Sequence, residues 1–244
     1  MQAGARRIML SYTQLEKYPF FQGKPILSIE PVATQGYCNL NYKVTTNSKI
    51  YLVRKLLSNE VDREKEYLLQ QQAAALGLSP EIIVFDREDQ VMIMPFIEGV
   101  HCQTLDIPRL TTFIDTLKQL HGNLHYDEAP IDLEIAIRSR ENSITVAFET
   151  IRNYLRETVI CHNDLNLRNI LWQAEKPYVL DFEYAGVNDC YFDLAAISVE
   201  FSLSKEKETY MLHRYFEGSF FREKFEAYKV VYEQLCKEWF ESML

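Results

Sequence analysis

Between Ile160 and Tyr184 the chain reads ICHNDLNLRNILWQAEKPYVLDFEY, and this stretch limits the fold more than any other. His162, Asp164 and Asn169 stand in the spacing H-x-D-x-x-x-x-N. A short polar turn follows, then the apolar run Tyr178, Val179, Leu180, which ends on Asp181-Phe182-Glu183. A loop leading into a buried strand with an acidic last residue brings Asp164, Asn169 and Asp181 to one point. Phosphoryl transfer from ATP needs such a set: one carboxylate to orient and deprotonate an attacking hydroxyl, and an amide with a second carboxylate to hold Mg2+ against the phosphates. Asp164 fits the first role, and Asn169 and Asp181 fit the second. His162 reads as a residue that orients the loop. A lone H-x-D is common, and many aspartates only close turns; the chemistry is carried by the combination with its strand.

CHNDLNLRNIL followed by YVLDFEYAGVNDCYFDLA resembles the choline/ethanolamine kinase family, within the small-molecule kinases that include the aminoglycoside phosphotransferases. The segment D-F-E-Y, with Phe192-Asp193-Leu194-Ala195 behind it, is the more specific part. The resemblance runs from about Ile29 to the C-terminus. It implies an α+β, bilobal protein-kinase-like fold, with an N-terminal antiparallel sheet lobe and a mainly helical C-terminal lobe, and ATP between them. It also implies a small amino alcohol as phosphoryl acceptor, choline before ethanolamine. Thiamine kinases and aminoglycoside phosphotransferases share H-x-D-x-x-x-x-N and stand as alternatives. An ATP-binding pseudokinase-like module is the non-enzyme alternative, and the intact Asp164, Asn169 and Asp181 argue against it. No activation loop fits between Glu183 and Phe192, which disfavours a protein kinase.

Bulk properties agree. A net charge of −9 argues against a nucleic-acid partner and suits a cationic substrate. The five cysteines, 38, 102, 161, 190 and 236, form no C-x-x-C pair and suit a reducing compartment. The first residues lack a signal-peptide apolar run, and no stretch has the length of a membrane span. The expectation is a cytoplasmic protein without membrane insertion; nothing in the sequence sets an oligomeric state.

Taken in order, Thr13-Gln-Leu-Glu16 reads as a capping box opening a short helix. Strands are expected at Ile26–Val32, Leu40–Thr45 and Ile50–Leu56, an antiparallel sheet. Gly36 lies between the first two, and G-x-x-N-x-N-Y is similar to the family's phosphate-covering loop. By that resemblance Gly36 lets the backbone approach the phosphates and Asn39 supports the turn. On the third strand Arg54 and Lys55 point to opposite faces; Arg54 aligns with Leu52 and Leu56, read as the inward pattern, and the family's arginine at this place selects it. Val61–Leu76 is helical, stopped by Gly77 and Pro80. The family's R-x-x-E pattern matches Arg63 and Glu66, which makes Glu66 the partner of Arg54, with Glu64 the competitor.

Strands at 81–86 and 91–96 lead to a hinge, where adenine would meet the backbone around Met94, Pro95 and Phe96. Composition turns helix-rich after Gly99, so residues 1–98 are taken as the nucleotide-binding lobe and 99–244 as the catalytic and substrate-binding lobe. Helices are expected at Pro108–Leu120 and Leu133–Leu155. His121 and His125 lie between them, where Gly122 and Asn123 are expected to break the helix, so the pair is read as a turn, not a metal site. Further helices are expected at Phe192–Phe201, Lys205–Phe216 and Phe220–Phe240. Glu183, Glu200 and Trp239 are the substrate-binding candidates. Glu200 matches a family glutamate near the substrate ammonium, and Trp239 the second tryptophan of a family L-W-x-x-W wall. Cys236 stands where the first tryptophan would be.

Overall fold

The structure is a computed structural model and describes residues 10–33, 39–57 and 61–242; Gly36 and Cys38 lie outside these. The chain divides into two compact units. The first comprises the residues up to Asp62 with Pro80–Ile97, and the second Arg63–Ser79 with the residues from Glu98 onward. The helix 63–75 thus groups with the second unit, where a single cut at 98 would assign it to the first.

In the first unit a short helix α1 (Tyr12–Glu16) precedes strands β1 (Ile26–Pro31), β2 (Asn39–Thr46) and β3 (Ile50–Leu56). The capping box is set by Ser11 and Gln14, two residues ahead of the expected Thr13 and Glu16. After the helix α2 (Arg63–Ala75) of the second unit come β4 (Val84–Asp86) and β5 (Val91–Pro95), and the antiparallel sheet has the order β1-β2-β3-β5-β4. Its core lies under one face, where Leu15, Tyr18 and Phe21 cover Tyr42, Val44, Tyr51, Val53, Val91 and Ile93. Each such buried side chain contributes roughly 1.5–3 kcal/mol. The unit's packed face is therefore that of Tyr51 and Val53, not that of Leu52. Arg54 lies on the other face and is only 4% exposed, whereas Lys55 donates to the Asp89 carbonyl.

The second unit is mainly helical. α2 ends at Gly77, whose φ of +73° suits glycine, and Leu78 N–H donates to the Ala73 carbonyl at 2.9 Å. Next comes α3 (Ile107–Asn123), capped by Asp106. It runs through Gly122 and ends at Asn123, past the expected Leu120, so His121 lies on the helix and His125 beyond its end. The expected helix 133–155 is two helices, α4 (Leu133–Ala136) and α5 (Asn142–Arg152). Between them Glu238 accepts the backbone N–H of Arg138 at 2.8 Å and of Ser139 at 2.7 Å. Those amides are thereby taken out of any helix.

Two small antiparallel ladders follow: β6 (Thr158–Cys161) pairs with β9 (Gly186–Asp189), and β7 (Ile170–Gln173) with β8 (Lys176–Val179). Helices α6 (Cys190–Glu200), α7 (Lys205–Phe216) and α8 (Arg222–Ser242) complete the chain. Their core gathers Phe113, Ile114, Leu117, Phe182, Phe192, Leu194, Ile197, Phe225 and Val231. Gly99 is required by close approach: a Cβ there would sit 2.6 Å from the Trp172 carbonyl oxygen, beside the Val100–Trp172 bridge. No helix among the described residues is long and apolar enough to cross a membrane.

Candidate active site

The ladders place the motif. β6 delivers the chain into His162, β7 takes it away after Asn169, and β8 returns it to Asp181. Leu180 N–H donates to the Asn169 carbonyl at 2.8 Å, which fixes Asp181 beside the loop. His162 Nε2 lies 3.0 Å from the Leu180 carbonyl oxygen. A carbonyl can only accept, so that nitrogen carries the proton and Nδ1 accepts from Asp164 N–H at 3.3 Å. Burial holds the His162 pKa below its ordinary value, in keeping with a neutral ring. His162 therefore orients Asp164 against the strand.

Asp164 is held from both sides. Asn166 Nδ2 donates to Oδ1 at 2.9 Å, and Asn169 Nδ2 donates to Oδ2 at 2.7 Å. With its nitrogen turned to Asp164, the Asn169 amide directs its oxygen away from that carboxylate. Burial, foremost, then the charges of Asp181 and Glu183, push the Asp164 pKa up to about 7, against the lowering effect of the two asparagine donors. Asp181 sits at φ +67° and ψ 73°, a left-handed conformation that aspartate tolerates better than most residues. The Asp181 carboxylate and the Asn169 amide oxygen are hard-oxygen donors of the kind Mg2+ takes, and a cation there would relieve the share of the Asp164 shift that the Asp181 and Glu183 charges add.

Asn163 and Asn166 were not singled out from sequence. Asn163 adopts φ +63°, donates from Nδ2 to the Tyr184 carbonyl at 3.0 Å, and accepts at Oδ1 from Asn188 Nδ2 at 2.8 Å. An asparagine inside H-x-D is the available signal, since it favours the left-handed region. Asp193, fully buried, accepts the His162 N–H at 2.7 Å and the Asn163 N–H at 2.9 Å, so α6 is tied to the loop as its sequence position suggested.

Other candidates are placed differently. Arg63 Nη1 reaches Glu66 Oε2 at 2.6 Å and Glu183 Oε2 at 3.2 Å, all three nearly buried. Glu66 thus has Arg63 as an ion partner. Glu183, expected to face a substrate cation, also pairs with the same guanidinium. At the strand β5 exit, Phe96 N–H donates to the Ile50 carbonyl at 3.1 Å, and Met94 stands opposite Leu52. Antiparallel alternation commits the backbone of both to β3 and turns the Pro95 carbonyl the other way. Of the expected hinge groups, Pro95 is the one facing away from β3. Asn39 begins β2 and is buried.

Glu200 ends α6 and accepts from the Tyr232 hydroxyl at 3.0 Å. The Cys236 thiol is pushed up to about 11, by burial first; Tyr232 draws it back, while the charges of Glu200 and Asp164 raise it further. Glu200, Cys236 and Asp164 therefore share one neighbourhood. Trp239, half-buried with its ring 5.1 Å from Phe240, stands one helical turn beyond Cys236 on α8.

The phosphotransferase enzyme family matches residues 28–233. The chain belongs to this family. Protein LicA of Haemophilus influenzae is 28% identical over 177 residues, which span 64% of this chain and 66% of that protein, just under two thirds of its length. Among solved structures, the choline kinase LicA of Streptococcus pneumoniae is similar with a TM-score of 0.76 at 21% identity, covering 93% of this chain and 89% of that one. A spectinomycin phosphotransferase, solved with ADP and spectinomycin, is similar with a TM-score of 0.67 at 14% identity, covering 94% and 88%. At these identities the structures establish the fold, a protein-kinase-like one with an antiparallel-sheet N-terminal unit and a mainly helical C-terminal unit.

Proposed function

We propose that this phosphotransferase moves the γ-phosphoryl of ATP to the hydroxyl of a small amino alcohol, choline first and ethanolamine next. The observation that carries this reading is Asp164, gripped by Asn166 and Asn169 and pushed up to about 7. A general base works best with a pKa near the operating pH. Asp164 takes the hydroxyl proton, the alcohol oxygen bonds to the γ-phosphorus, and the bond from that phosphorus to the bridging oxygen breaks to leave ADP. Asn169 and Asp181 are the residues that would hold Mg2+, which supplies neutralisation of the phosphate charge. Arg54, buried on the sheet face opposite the core, is the cation proposed for the phosphates, and Asn39 and the β5 exit at Met94–Phe96 are proposed for nucleotide binding.

The acceptor follows from charge. The charges of Glu200 and Asp164 both act on Cys236, Tyr232 donates to Glu200, and Tyr232 and Trp239 stand seven residues apart on one stripe of α8. Acidic groups beside aromatic faces favour an ammonium group, and the names of the LicA relatives point the same way. Glu200→Gln is expected to raise the KM for choline about ten-fold, with kcat and the KM for ATP nearly unchanged. An unchanged KM for choline in that variant would remove Glu200 from the acceptor site.

A further inference from the structure

We infer that His121 and Tyr215 are positioning residues for phosphoryl transfer, acting on Asp164 through Asp193; the inference rests on the functional reading above. Asp193 Oδ2 accepts the His162 N–H at 2.7 Å and also faces His121 Nε2 at 3.0 Å, while Oδ1 accepts the Asn163 N–H at 2.9 Å. A carboxylate only accepts, so His121 Nε2 carries a proton. Nδ1, the other ring nitrogen, lies 2.6 Å from the Tyr215 hydroxyl, so the ring is held at both nitrogens. The relay draws on three helices: Tyr215 from α7, His121 from α3 and Asp193 from α6. It ends on the two backbone amides that immediately precede Asp164.

Each link is directional. Asp193 fixes a proton on His121 Nε2, the Tyr215 hydroxyl holds the ring's other nitrogen and with it the ring's orientation, the ring supplies the third donor to a fully buried carboxylate, and the carboxylate sets where the loop backbone lies. Without the hydroxyl the ring loses one of its two anchors and is freer to turn away from Asp193, which loosens the loop anchor. Catalytic geometry tolerates little slack, since a displacement of about 1 Å can cost about a hundred-fold in rate. Cys161 also lies close to His121 and Asp193 in a metal-like grouping. Burial keeps its thiol protonated, well above the ordinary range, and Asp193 already accepts from three donors, so the cluster is read as a hydrogen-bond relay.

The test compares His121→Ala, His121→Gln and Tyr215→Phe with the unaltered protein in two assays. In steady-state turnover, His121→Ala is expected to lower kcat about ten-fold or more and Tyr215→Phe about three-fold, with both KM values unchanged. His121→Gln, whose amide nitrogen stands in for Nε2, is expected to recover most of the rate. In amide hydrogen exchange without nucleotide, His162 and Asn163 are expected to exchange about ten-fold faster in His121→Ala and Tyr215→Phe, with the β1–β2 amides unaffected. Wild-type-like kcat in both variants overturns the inference. If the unaltered protein turns over no acceptor, the functional reading fails, and exchange alone decides: faster exchange at the two amides supports the relay, and unchanged exchange overturns it. If His121→Ala does not fold, Tyr215→Phe decides by the same criteria.

Discussion

Asp164→Asn is expected to make the protein more stable above neutral pH while removing its activity. The folded-state pKa of Asp164 is raised from 3.8 to about 7, so its carboxyl stays protonated in the native state at pH 5 but ionises on unfolding. The stability tied to that proton is complete below about pH 4 and is lost as pH rises through about 7. At about 1.4 kcal/mol per pH unit, the loss between pH 5 and 7 has a ceiling of about 3 kcal/mol. Asp164 is partly exposed, and solvent screening reduces this to about 1–2 kcal/mol. Asparagine cannot titrate, so the stability difference between variant and wild type should grow by that amount over the interval. Urea denaturation of both proteins at pH 5 and 7.5 measures it, because other titrating groups cancel in the difference. A difference that does not change with pH would refute the argument that burial and neighbouring carboxylates tune Asp164.

Two further outcomes follow from packing. Arg63→Ala leaves Glu66 and Glu183 without their shared guanidinium; removing one partner from a buried ion network typically costs about 3–5 kcal/mol, and a urea midpoint close to wild type would show that the triad is held otherwise. Gly99→Ala forces a Cβ to 2.6 Å from the Trp172 carbonyl, and overpacking of this kind costs about 1–3 kcal/mol; an unchanged melting temperature would mean that the Val100–Trp172 bridge yields freely.

The parts legible in the sequence are those fixed by local spacing. H-x-D-x-x-x-x-N, a short hairpin and an apolar run to Asp181 are close in sequence, and the fold brings them together through two short ladders. The early strands were legible from alternation and turn residues, and Arg54 and Lys55 do separate to opposite faces, although the core lies on the face of Tyr51 and Val53. What escaped is long-range. The break between α4 and α5 has no proline or glycine; it exists because Glu238, about a hundred residues later, captures two amides. The helix end at Gly122-Asn123 is legible, but the last turn reaches Asn123 and so places His121 on the helix. His121 was set aside as part of a turn, since neither Asp193 nor Tyr215 is near it in sequence. Nor does anything in D-F-E-Y reveal that Arg63 reaches Glu183, since the two are far apart in sequence.

The most direct test of the central claim is ADP release with Mg-ATP against choline, ethanolamine, thiamine and kanamycin in parallel, with Asp164→Asn alongside. The account predicts turnover on choline or ethanolamine, lost in the variant. Turnover confined to thiamine or kanamycin, or turnover that survives loss of the Asp164 carboxylate, would contradict it.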